Sequence, residues 1–173
     1  MNKLGKAEIA RLFELLDAEL ARASVSGEVY LVGGAVMCLA LDARESTRDV
    51  DAIFKPVRAI REAAARVAAR EGVPDTWLND AVKAFLSPRG DFDAFVERDN
   101  LRVFVARPEY LLAMKCVALR LGEEFHDLDD IRFLLRHLDI TSSAAAMRIV
   151  LRHFAESQVL PKTRFALEEL LGR

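Results

Sequence analysis

The sequence predicts an α+β protein in which a small mixed β-sheet flanked by helices precedes a helical C-terminal half. Three observations carry that expectation. Apolar residues recur at helical spacing at both ends of the chain, one short strand runs into Gly33-Gly34 and another leaves Asp49-Val50-Asp51, and a pair of short strands comes just before four successive helical patterns. The 173 residues suit one domain with a helical appendage, divided here as a core over 1–107 and a helical region over 108–173.

From Lys6 to about Ala23 the residues Ile9, Leu12, Phe13, Leu15, Leu16 and Leu20 recur at helical spacing with charges between them, so an amphipathic helix opens the chain. Ser24-Val25-Ser26-Gly27 closes it, and Glu28 to Val32 is a short apolar strand ending at the glycines. A helix over Ala35 to Leu41 should follow. The second strand, Asp49 to Phe54, meets Lys55-Pro56, where proline suits the first turn of a helix running to Glu71. Gly72-Val73-Pro74 stops that helix, and Trp77 to Val82 reads as another short one. Phe92 to Val96 and Leu101 to Ala106 can pair as a hairpin across Glu97-Arg98-Asp99-Asn100. Helices are expected over Pro108 to Leu121, Asp127 to Leu138, Ser142 to Glu156 and Pro161 to Leu171.

Composition excludes several classes. Lys and Arg number 25 against 27 Asp and Glu, a net charge of −2, so attraction for a polyanion must come from a local patch. Cys38 and Cys116, the two cysteines, lie inside apolar helical patterns and read as buried hydrophobes of a reducing compartment. No stretch approaches the roughly 20 apolar residues of a membrane span. The N-terminus leads into an amphipathic helix rather than a signal-peptide core. A cytoplasmic protein without membrane contact is expected.

Asp49 and Asp51 are the most informative residues. In a strand, residues two apart share a face at a separation of roughly 7 Å, and two such carboxylates raise one another's pKa unless a cation lies between them. Mg²⁺ suits this arrangement, since it is commonly bound by one or two carboxylates together with substrate phosphates. Gly33 and Gly34, between strand and helix, let the backbone approach a phosphate, although a tight turn alone would also account for them. Arg44 could hold a phosphate or pair with Asp49 or Asp51, and Arg48 alternates away from Asp49 toward solvent.

Leu31-Val32-Gly33-Gly34 followed by Arg44-x-x-Thr47-x-Asp49-Val50-Asp51 resembles the signature of the nucleotidyltransferase superfamily related to DNA polymerase beta. Leu112-Ala113-Met114-Lys115-Cys116-x-Ala118-x-Arg120, with Asp127-x-x-Asp130-Ile131, resembles the lysine and aspartate motifs of the AbiEii-type nucleotidyltransferase toxins and their small relatives. The resemblance spans roughly residues 28 to 138. It implies a nucleotidyltransferase-like sheet and Mg²⁺-dependent transfer of a nucleotide from an NTP to an RNA, such as tRNA, or to a protein acceptor. A toxin-like role with a cognate antitoxin is implied as well. Asp49 and Asp51 would bind the metal, Gly33 and Gly34 the nucleotide phosphates, and Arg44, Thr47 and Lys115 would assist.

The chain departs from the wider superfamily in one respect. The later strand Leu101 to Ala106 has no third carboxylate. Asp93 has the local pattern, while the toxin-like reading supplies Asp127 or Asp130, three apart on one helix face and equally suited to the helix start as N-cap and third residue. Two other readings stand beside the leading one: a nucleotidyltransferase fold that binds without catalysis as an antitoxin-like module, and a small-molecule nucleotidyltransferase of the aminoglycoside type.

Overall fold

The structure is a computed structural model that describes residues 3–122 and 125–172. The chain divides into two compact units, Met1–Ala84 with Phe92–Ala106, and Phe85–Asp91 with Arg107–Arg173.

In chain order the first unit contains β1 (Leu4–Gly5), α1 (Lys6–Arg22), β2 (Gly27–Leu31), α2 (Gly33–Leu39), β3 (Ser46–Thr47), β4 (Val50–Lys55), α3 (Val57–Glu71), β5 (Leu78–Asn79), β6 (Phe92–Glu97) and β7 (Leu101–Ala106). Five strands form a mixed sheet in the order β5-β4-β2-β7-β6, with β2 antiparallel to β4 and parallel to β7. Alternation along β2 and β4 assigns the faces. Val29, Leu31, Val50, Ala52 and Phe54 are buried, whereas Tyr30, Asp51 and Ile53 are half-exposed. A Cβ on Gly27 would stand 2.8 Å from Ile60 of α3 and 3.3 Å from Leu20 of α1, so these two helices cover the Val29 and Leu31 face. Asp51 therefore projects from the opposite face.

That opposite face carries aromatic side chains. Tyr30 stacks on Phe104 with centroids 4.7 Å apart and meets Phe92 edge-on at 5.2 Å. Beneath the sheet, Trp77 is buried and its indole N–H donates to the Ala64 carbonyl of α3 at 3.0 Å.

Several elements differ from the sequence reading. The segment Trp77 to Val82, expected as a helix, yields β5, which pairs in parallel with Val50 and Asp51 before a 3-10 turn over Ala81–Phe85. Pairing with an exposed sheet edge outweighs a six-residue helical pattern too short to nucleate alone. A two-residue ladder joins β1 to β3, Leu4 opposite Thr47, below the length at which alternation can be read. β4 starts at Val50, which leaves Asp49 in the bend before it. Pro56 is the N-cap of α3 rather than a first-turn residue, and Gly72 ends that helix in the left-handed conformation.

The second unit contains α4 (Pro108–Val117), α5 (Asp127–His137), α6 (Ser143–His153) and α7 (Pro161–Leu171). Leu111, Leu112, Ile131, Leu134, Val150 and Leu167 are buried along these helices. The Thr163 hydroxyl donates to the Cys116 carbonyl at 2.7 Å, tying α7 to α4. Both cysteines are buried and free, and burial pushes the Cys116 thiol up to about 12. Among the described residues no helix is long and apolar enough to cross a membrane.

Candidate active site

In the first unit, sequence-separated residues gather where β2 runs into α2, which begins at Gly33 rather than at Ala35. Gly33 has φ +62°, a conformation that glycine adopts without steric cost, and a Cβ there would lie 3.2 Å from Asp51 Oδ2. A Cβ on Gly34 would lie 2.7 Å from Thr47 Oγ1 and 3.4 Å from an Arg44 guanidinium nitrogen. Each missing methyl group thus makes room for a side chain from 10 to 18 positions further along the chain. The Val32 N–H donates to the Asp51 carbonyl at 3.0 Å and fixes the turn against β4.

Thr47 is buried, held by the β1–β3 ladder on one side and by its own bond on the other. Its hydroxyl donates to the Asp49 carbonyl at 3.1 Å, which shapes the bend carrying that acid. Arg44 lines a hollow of about 400 Å³ with Lys6, Asp42 and Glu45, and the Lys6 ammonium pairs with Asp42 at 2.8 Å. Arg48 is exposed.

Asp49 is not a strand residue, so the alternation rule does not place its carboxylate. A neighbouring strand does. Asn79 of β5 is the register partner of Asp51 and shares its face of the sheet, and the Asn79 amide donates to Asp49 Oδ2 at 3.1 Å. Both acids consequently flank one side chain. Asn79 escaped sequence reading because it stands thirty positions from Asp49 inside an apparently helical segment.

These residues fit a hard divalent cation. Two carboxylates supply oxygen ligands of the kind such a cation takes, and the absence of a Cβ at Gly33, which would stand 3.2 Å from Asp51 Oδ2, lets the backbone pass close to that acid. Among the described residues no group of three or more His, Cys, Asp or Glu side chains could hold a metal. A cation here would complete its shell with water and substrate phosphates, as Mg²⁺ does. Asp93 does not extend the acidic pair. It lies opposite Val105, in the row of Leu31 and Ala52, and so belongs to the face away from Asp51.

Lys115, Asp127 and Asp130 gather within the second unit. The Lys115 ammonium is 2.7 Å from Asp130 Oδ2 and 3.3 Å from Asp127 Oδ1, with its side chain 13% exposed. Arg120 gives Asp127 three further bonds: from its backbone N–H at 3.1 Å, from Nε at 2.9 Å and from Nη2 at 3.3 Å. Four donors nearly saturate a carboxylate. Burial pushes the Asp127 carboxyl up, but the Arg120 hydrogen bonds and the Lys115 charge together outweigh it and hold the group below the usual range. His126 is the N-cap of α5, with no side-chain cap bond; Asp127 is the first helical residue and reaches back to Arg120 instead.

No protein-family model, no curated protein and no solved structure matches the chain.

Proposed function

We propose that this protein is a Mg²⁺-dependent nucleotidyltransferase that moves a nucleotide from an NTP to an RNA acceptor, with tRNA the first to test. One observation carries the reading: the Gly33-Gly34 turn packs directly against Asp51, Thr47 and Arg44, the residues that the motif resemblance singles out. In the proposed roles, Asp49 and Asp51 hold the cation. The glycine turn receives the triphosphate, and Arg44, with its guanidinium beside Gly34, offsets phosphate charge. Thr47 holds the bend that presents Asp49. A bound Mg²⁺ would supply positive charge to the oxygens of an in-line displacement at phosphorus. In the second unit the Lys115 ammonium pairs with Asp127 and Asp130 and so joins α4 to α5.

The test is incubation of the purified protein with each α-labelled NTP, Mg²⁺ and total tRNA, beside the Asp49→Asn/Asp51→Asn double variant. Label on RNA with the unmodified protein alone is the expected result. Label on protein instead would move the acceptor class, and equal labelling by the double variant would remove both acids from the reaction. Nucleotide binding with no transfer from any NTP would return the chain to a non-catalytic binding module.

A further inference from the structure

We infer that Asn79 is a positioning residue that fixes the Asp49 carboxylate for cation binding. The inference rests on the reading of Asp49 and Asp51 as cation ligands. An amide can present either its oxygen or its nitrogen to a neighbour, and the surroundings of Asn79 leave one choice. The backbone N–H of Ala81 points at one end of the amide at 3.2 Å, and an N–H can only donate, so that end is the oxygen Oδ1. The other end, Nδ2, then donates to Asp49 Oδ2 at 3.1 Å and lies 3.4 Å from the Thr76 carbonyl, an acceptor that suits its second hydrogen.

Two consequences follow for Asp49. The amide holds one carboxylate oxygen, Oδ2, and does so without placing a positive charge beside the acid. The backbone of Asp49 is fixed separately by the Thr47 hydroxyl, so main chain and side chain of this acid are held from two strands, β3 and β5. A residue outside the direct ligands that orients one of them typically changes metal affinity by about 10- to 100-fold when removed.

The test is Mn²⁺ binding to the full chain, read by the loss of the free-ion electron paramagnetic resonance signal, with Trp77 emission as a control for local folding. Asn79→Ala is expected to weaken Mn²⁺ binding about tenfold while Trp77 emission stays native. In an Asp49→Asn background the same change should cause no further loss, because its effect runs through Asp49; a merely structural role would weaken both backgrounds alike. If Asn79→Ala loses native emission, Ala81→Pro serves in its place. It deletes the N–H that fixes the amide and should also weaken binding severalfold. Mn²⁺ affinity within about twofold of the unmodified protein in a folded variant would overturn the role of Asn79 and leave the metal reading intact. No Mn²⁺ uptake by the unmodified protein would overturn both.

Discussion

Gly34 shows why a residue type can be legible while its reason is not. The glycine pair marks a tight turn in the sequence, yet the tightness at Gly34 comes from Thr47, whose Oγ1 would stand 2.7 Å from an added Cβ. Thr47 is buried and hydrogen-bonded, so it cannot swing aside cheaply. Gly34→Ala should therefore destabilise the protein by about 1–3 kcal/mol, the usual range for an overpacked site, read as a lower urea midpoint. Adding Thr47→Ala removes the colliding atoms and should restore part of the loss; no recovery would place the strain elsewhere. Asp49 and Asp51 were legible from their spacing. Asn79 was not, because the bond joining it to Asp49 depends on β5 lying beside β4.

At the scale of elements, the end of α4 and the start of α5 are joined by charge. Lys115 and Arg120 together meet Asp127, whose folded pKa lies below its unfolded value of about 3.9. An acid with a depressed pKa contributes stability above its unfolded pKa, and that contribution fades as pH falls through the folded value. Asp127→Asn should accordingly cost about 3 kcal/mol at pH 7, with the difference from the unmodified protein shrinking below about pH 4, measured by urea unfolding at both. A constant difference across that window would mean that shape rather than charge is lost. The end of α3 offers a cleaner case. Gly72 has φ +68° and nothing within 4 Å of an added Cβ, so Gly72→Ala should cost about 1 kcal/mol from backbone conformation alone. Thermal unfolding would show it, and an unchanged midpoint would imply that the helix end relaxes.

At the scale of the whole molecule, each unit has to be followed by its own reporter. Trp77 is the one tryptophan of the chain and lies in the first unit, so its emission follows that unit, whereas far-ultraviolet circular dichroism registers the helices of both. The helices with long apolar stripes, the strand that runs into the glycine pair, and the hairpin could be read from the sequence alone. Those features are written in local periodicity, which holds wherever an element is long enough to bury one face. Only tertiary structure decided that Trp77 to Asn79 leads into a strand, that Leu4 pairs with Thr47, that Asp93 faces away from Asp51, and that Asn79 holds Asp49. Each of these depends on which strand lies next to which. Two-residue strands and side-chain bonds thirty positions apart leave no period in the sequence, and they form because neighbouring backbone edges must satisfy their hydrogen bonds.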